Sequence, residues 1–135
     1  MKILMICSKA FYDKLQDYKQ KLEQLGHSVY MPNCWDCPQT EASYRGTEKH
    51  AQWKAGMIRH SEQVIKDMDA VFVLNFDKNG QKNYIGGATF LEIYDAFRLN
   101  KKIFFVNPIP EGMLKDELVG FSPIVVGDDL SKIIL

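Results

Sequence analysis

The chain has no excess charge of either sign, since 17 Lys and Arg balance 17 Asp and Glu. With the basic residues scattered, that balance argues against a surface dedicated to nucleic acid or to a polybasic membrane contact. No apolar run comes near the roughly 18–20 residues of a membrane span. The first seven residues are too short and too strand-like for a signal peptide. Cysteine is scarce and odd in number, three in all, so reduced thiols and a cytoplasmic location are the expectation. Repeats, low-complexity tracts and an internal linker are lacking too. What is present is 46% hydrophobic content in 135 residues, enough for one domain, 1–135, whose core needs no staples.

Residues 2–7 form a continuous apolar run, the mark of a strand buried on both faces. Phe11, Leu15, Tyr18, Leu22 and Leu25 recur at helical spacing, predicting a helix over 10–25 with Gly26 at its C′ position. Residues 27–31 read as a second strand stopped by Pro32, which gives a right-handed strand–helix–strand opening. Residues 32–49 are polar and turn-rich, long for a structureless connection, and read as a lid or a mobile loop. A helix over 51–68 leads to the clearest strand, 70–75. Residues 76–85 form a loop turning at Asn79-Gly80, and the helix after it ends near Asn100. A fourth strand at 102–106, a proline-bearing loop over 107–123, a short fifth strand at 124–126 and a last helical turn or two complete the chain.

Helices alternating with strands that are apolar throughout predict a three-layer α/β fold. Its sheet is five-stranded and parallel, in the flavodoxin-like order 2-1-3-4-5. Ligands in such sheets sit beyond the carboxyl ends of the strands, where strand order reverses. That rule nominates the loops 8–11, 75–89 and 107–111, and with them Ser8, Lys9, Asn75 and Asn107.

The rest of the chain is organised around Asn83-Tyr84-Ile85-Gly86-Gly87-Ala88-Thr89-Phe90-Leu91-Glu92-Ile93-Tyr94. Gly86 and Gly87 suit a tight strand-to-helix turn, because glycine reaches positive φ without steric cost. The turn that follows offers unpaired N–H groups to an anion. Glu92 is the anomaly, a carboxylate between Leu91 and Ile93 in a helix that otherwise reads as buried. It has three readings: solvent-facing, structurally paired with a Lys or Arg, or catalytic. A place near a helix N-terminus favours the ionised form, which suits a nucleophile rather than an acid.

Other candidates carry less. Cys34 and Cys37 have redox or zinc spacing, but a proline follows in place of a clear helix. Cys7, His27, His50 and His60 fall too irregularly to complete a metal site, so no metal is expected. Ser8-Lys9-Ala10 could hold a phosphate, yet it lacks the glycines and threonines of a flavin-phosphate loop and is no Walker motif. Flavin binding is disfavoured, and no cofactor is expected. A receiver domain is disfavoured as well, since the third strand ends in Asn75 where an acceptor Asp is required. Asp67 and Asp69 read as helix-end and strand-start residues, and His60 as a boundary histidine. Lys78 and Lys82 read as solvated turn charges first and as phosphate ligands second.

Asp69-Ala70-Val71-Phe72-Val73, a loop, and then Gly87-Ala88-Thr89-Phe90-Leu91-Glu92-Ile93-Tyr94-Asp95-Ala96 resemble the nucleoside 2-deoxyribosyltransferase superfamily. That superfamily includes the deoxynucleoside 5′-monophosphate N-glycosidases. The resemblance covers residues 57–106 well and the opening strand and helix loosely, and Lys101-Lys102-Ile103-Phe104-Phe105 is similar to the family's fourth strand. It implies Glu92 as the nucleophile that attacks the anomeric carbon, displaces the base and forms a glycosyl-enzyme, as in a retaining glycosidase. It implies Thr89 as a helix-start ligand, Gly86 and Gly87 as backbone donors to sugar or phosphate, and Asp69 as a structural residue. It also implies a homo-oligomer in which a neighbour's loop completes the pocket.

The departures are specific. The family's second acid, eight residues before the strand-start Asp, is here Ser61, with Glu62 beside it as the stand-in. Glu62 needs a helical shift of about 100° to take that place. The Asp or Ser expected six residues before the nucleophile is Gly86. Near the first strand, the family's tyrosine- or glycine-rich signature is represented only by Cys7-Ser8-Lys9. Losing one general acid typically costs about 10²–10⁴ in rate. Two readings follow: an N-glycosidase or deoxyribosyltransferase acting on a nucleoside or nucleotide, and a module that binds a nucleotide or nucleotide-sugar without chemistry.

Overall fold

The apolar runs become five parallel strands. In the computed structural model, which describes residues 1–134, these are β1 (Lys2–Ile6), β2 (Ser28–Tyr30), β3 (Ala70–Val73), β4 (Lys102–Phe105) and β5 (Ile124–Val125). They lie in the order β2-β1-β3-β4-β5, as the alternation of helices and strands predicts. Ile3 stands opposite Ala70, and Ala70 opposite Lys102. Successive side chains on a strand point to opposite faces, so each strand feeds two cores. Ile3, Met5, Phe72, Leu74 and Phe104 meet Leu15 and Leu22 of α1 (Leu15–Gln24) on one face. Leu4, Ile6, Val71, Val73 and Phe105 go to the other. There they pack on Ile65 of α3 (Lys49–Lys66) and on Ile93 and Ala96 of α4 (Gly87–Arg98). Both faces are covered, which is why these strands read as unbroken apolar runs.

Two helix ends close as their sequences dictate. Gly26 takes φ +94°, with Gly26 N–H on the Glu23 carbonyl at 2.9 Å and His27 N–H on the Leu22 carbonyl at 3.2 Å. Asn100 repeats that pair of bonds at φ +59°, through the carbonyls of Phe97 and Ala96. Both are Schellman closures, which require a residue tolerant of left-handed backbone.

The structure differs from the sequence reading in four places. Residues 9–14 form a 3-10 helix ahead of α1, entered through Ser8, whose Oγ accepts the Ala10 N–H at 3.4 Å. The 32–49 segment is not structureless, because α2 (Thr40–Tyr44) sits within it. The 107–123 loop contains α5 (Lys115–Gly120), which buries Leu118. Gly86 and Gly87 do not use positive φ: Gly86 caps α4 in extended backbone at φ −82°. The left-handed residue of that turn is Asn83, at φ +55°. A Cβ on Gly86 would lie 3.2 Å from the Tyr84 hydroxyl, so close packing explains that glycine better than backbone freedom.

Candidate functional site

A cavity of about 300 Å³ opens beyond the carboxyl ends of β1 and β3. Its floor is Cys7, Ser8 and Lys9 at the end of β1, and one wall is the start of α4, from Gly86 to Thr89 with Glu92 beyond. The opposite wall is α3, through Trp53, Lys54 and Ser61. Helix α2 and the turn after β2 close the rim with Glu41, Asn33 and Cys34. Of the residues nominated from sequence, Ser8, Lys9, Gly86, Gly87, Thr89 and Glu92 meet here.

Glu92 faces this space from a largely buried position. Burial pushes its carboxyl up to about 7, with the Asp95 charge adding to the shift, while the neighbouring Ser61 hydroxyl and the charge of Lys54 pull the other way. Desolvation disfavours the charged form, and here it outweighs the helix N-terminus that the sequence reading relied on. The helix N-terminus favours the ionised form, as expected, but burial opposes it, and near neutrality the group is poised between acid and base. Ser61 is itself held in place. The Asn33 amide donates to the Ser61 hydroxyl and to the Met57 carbonyl, so the Ser61 proton is free to turn toward Glu92. The position where a second acid was sought thus holds a hydroxyl within reach of the carboxylate.

Glu62 does not substitute for that acid. It is absent from the cavity lining, and its Oε1 lies 2.7 Å from Arg98 on the outer flank of α3 and α4. The Arg98 guanidinium holds its carboxyl below the usual range. One helical position is about 100°, enough to turn a side chain off the inner face. The second carboxyl that does line the cavity is Asp95, one turn beyond Glu92 and raised by burial despite its bond to Arg98 at 3.4 Å. Its i+3 spacing from Glu92 was the available signal, because residues three apart share a helix face.

Glu41 is a third carboxyl, and its charge is matched by cations around it. Its side chain meets Lys54 at 3.1 Å, His50 at 3.0 Å, Arg45 at 3.8 Å and Lys9 at 3.9 Å. Burial pushes it up, but hydrogen bonds from His50 and Lys54 outweigh burial and keep it ionised. No spacing in the sequence joins Glu41 to Lys54, so only the fold could reveal this cluster. Lys78 stands at the other end of the cavity, 3.4 Å from Ser8 Oγ and 4.6 Å from the Tyr84 ring centroid. It is placed there by a two-residue turn with Asn79 and Gly80 both at positive φ, as such hairpin turns require. Lys82 is not among the lining residues.

Asn75 and Asn107, nominated by the strand-end rule, belong elsewhere. The Asn75 amide donates to the carbonyls of Asn107 at 2.9 Å and Pro108 at 3.0 Å. Asn75 Oδ1 accepts the Asn107 N–H at 2.9 Å, and the Asn107 side chain donates back to the Asn75 carbonyl at 3.0 Å. The pair ties the end of β3 to the end of β4 and spends its polar atoms doing so. Asp69 lies at the amino end of the sheet, accepting the Lys2 N–H at 2.8 Å.

Among the described residues no group of three or more His, Cys, Asp or Glu side chains is arranged to hold a metal ion. No described helix is long and apolar enough to cross a membrane. No protein-family model matches the chain, and no curated protein does either. Fold and site together define a doubly wound parallel α/β domain. Its cavity holds one poised carboxyl, a second beside it, lysines at both ends, and the aromatic rings of Tyr12, Trp53 and Tyr84.

Proposed function

We propose that this cavity takes a nucleoside or a nucleoside 5′-monophosphate, and that Glu92 opens its N-glycosidic bond through a glycosyl-enzyme. Water or a second base then resolves the intermediate, giving hydrolysis or deoxyribosyl transfer. The observation that carries the reading is the Glu92 carboxyl, poised near neutrality at the wall of a cavity of about 300 Å³. A nucleophile must be ionised, and a group titrating near 7 is ionised in half the molecules at that pH and in most at pH 8. Asp95, whose charge adds to the shift on Glu92, loses its proton before Glu92 does, so the departing base takes its proton from water. Tyr12, Trp53 and Tyr84 offer flat apolar surface for a base, and Lys78 with Ser8 offers donors to a phosphate. The nucleoside reading brings a homo-oligomer with it, supported by Ile58 and Leu91, 39% and 42% exposed on the cavity rim.

The test is release of free base from a panel of nucleosides, deoxynucleosides and their 5′-monophosphates. The wild-type protein releases base from at least one class, and Glu92→Gln lowers that rate by about 10³-fold or more. Equal rates in the two proteins, or silence across the whole panel, sink the catalytic reading.

A second reading keeps the ligand and drops the chemistry. It is favoured by Glu62, whose pairing with Arg98 takes the expected second acid out of the cavity. A nucleotide at about 100 times its Kd then stabilises the fold by about 2.7 kcal/mol without turnover. Gly87→Val, which places a branched side chain at the head of α4, abolishes that shift. A melting curve that no nucleotide moves rules this reading out.

A further inference from the structure

The turn between β2 and α2 carries two thiols that the glycosidic chemistry does not use. Cys34 C=O accepts the Cys37 N–H at 3.0 Å, so the four residues from Cys34 to Cys37 make one tight turn. Such a turn holds its first and last Cα atoms within about 7 Å, and a disulfide spans about 4.4–6.8 Å. Both cysteines are free and partly exposed, whereas Cys7, the third, is buried. Burial, with the neighbouring Cys37 thiol adding to it, pushes the Cys34 thiol up to about 11. Cys34 therefore keeps its proton. Cys34 also sits at φ +56°, a left-handed conformation uncommon for a residue with a Cβ and a recurrent mark of functional segments.

Both ends of this turn are fastened to the cavity. Asn33, directly before Cys34, donates to Ser61, which lines the cavity together with Glu92. Pro38, directly after Cys37, offers its carbonyl to Lys9 Nζ at 2.8 Å. Cys34 is itself part of the cavity wall.

We propose that Cys34 and Cys37 are a redox-active dithiol, converted to an intramolecular disulfide by a low-molecular-weight disulfide and coupled through Asn33 and Ser61 to the cavity carboxyl. The step balances as ordinary thiol–disulfide exchange. The Cys37 thiolate attacks one sulfur of the oxidant RSSR, forming a mixed disulfide and expelling RS⁻. Cys34, deprotonated in turn, attacks the Cys37 sulfur, forms the Cys34–Cys37 bond and expels the second RS⁻. The two thiol protons end on two RSH molecules, so the protein loses two electrons and the oxidant gains them. Closing the bond draws Cys34 toward Cys37, which pulls on Asn33 and alters how Ser61 meets Glu92.

The test equilibrates the full chain with graded mixtures of reduced and oxidised glutathione, traps free thiols, and maps the cysteines by mass spectrometry. A species lacking two hydrogens is expected, with Cys34 joined to Cys37, Cys7 still a thiol, and full reversal by dithiothreitol. Cys37→Ser and Cys34→Ser each give a glutathione adduct or an unchanged chain, never the loss of two hydrogens. Both thiols intact at the most oxidising ratio, or a disulfide formed only between chains, overturns the dithiol. The coupling is read independently of any activity, by carboxyl-carbon NMR titration of Glu92, its signal assigned by loss in Glu92→Gln. Its midpoint differs between the reduced and oxidised proteins, and the same oxidant leaves it fixed in the Cys34→Ser, Cys37→Ser double variant. An oxidised protein with an unmoved Glu92 midpoint overturns the coupling.

Discussion

Two crevices begin at the carboxyl end of the same sheet, and they end in opposite states. Between β3 and β4, Asn75 and Asn107 exchange hydrogen bonds until the gap is closed, and Asn75 is fully buried. Between β1 and β3, Glu92 faces open space with Ser61 and Lys54 offsetting only part of its desolvation. A buried polar group with every partner in place is cheap to keep and has nothing left to give a ligand. A carboxyl short of compensation is costly to keep ionised, and a fold that retains one beside a cavity has placed a reactive group there. The strand-end rule nominates both crevices equally. Hydrogen-bond satisfaction is what separates them.

The comparison breaks most visibly at Asn75. Asn75→Leu keeps the branched outline but removes three side-chain hydrogen bonds and leaves the Asn107 N–H and two carbonyls without partners. A loss of about 2–4 kcal/mol in urea unfolding is expected, with Glu92 titrating as before. A loss under about 1 kcal/mol would mean that the closed crevice is not held by this pair.

Glu92→Gln moves stability the other way. The folded carboxyl titrates at about 7 against an ordinary value of 4.5, so folding favours its protonated form. In the wild type that contribution is intact below about pH 4.5 and is lost as the pH rises to about 7. The amide does not ionise, so Glu92→Gln is more stable than the wild type by about 3 kcal/mol at pH 8 and nearly level with it at pH 4.5. The same ionisation makes base release climb between pH 6 and about 8. Parallel stability profiles for the two proteins, with no divergence above neutrality, would return Glu92 to the class of satisfied side chains.

Much of this was legible in the chain itself. Five apolar runs separated by helical spacing led to β2-β1-β3-β4-β5, because burial on both faces leaves few other ways to cover such strands. Glu92 stood out for the same reason, as a charge inside an apolar pattern. Helices α2 and α5 were missed because five or six residues hold too little periodicity to register. Asp95 was passed over although it shares a face with Glu92, since Arg98 three residues beyond it makes that stretch look like a solvated flank. Glu41 and its cations lie 9 and 13 residues apart along the chain at His50 and Lys54, separations set by tertiary packing alone. Asn75 and Asn107 were nominated correctly for position and incorrectly for role, because strand-end geometry says nothing about which polar atoms find each other.

The finest cut between the two states is made at Glu62. It carries the same charge as Glu92 and lies in the helix packed against it, yet it faces Arg98 and water rather than the cavity. An exposed ion pair of that kind is screened and contributes little. Glu62→Gln therefore leaves the melting curve, the Glu92 midpoint and the rate of base release unchanged, and the salt dependence of stability falls slightly as one surface charge is removed. The measurement is a side-by-side melt and Glu92 titration with Asp95→Asn, which has the opposite expectation: removing the Asp95 charge lowers the Glu92 midpoint and carries the onset of base release to lower pH. If Glu62→Gln moved the Glu92 midpoint and Asp95→Asn did not, Glu62 rather than Asp95 would face Glu92, and the register that places Ser61 toward Glu92 would be wrong.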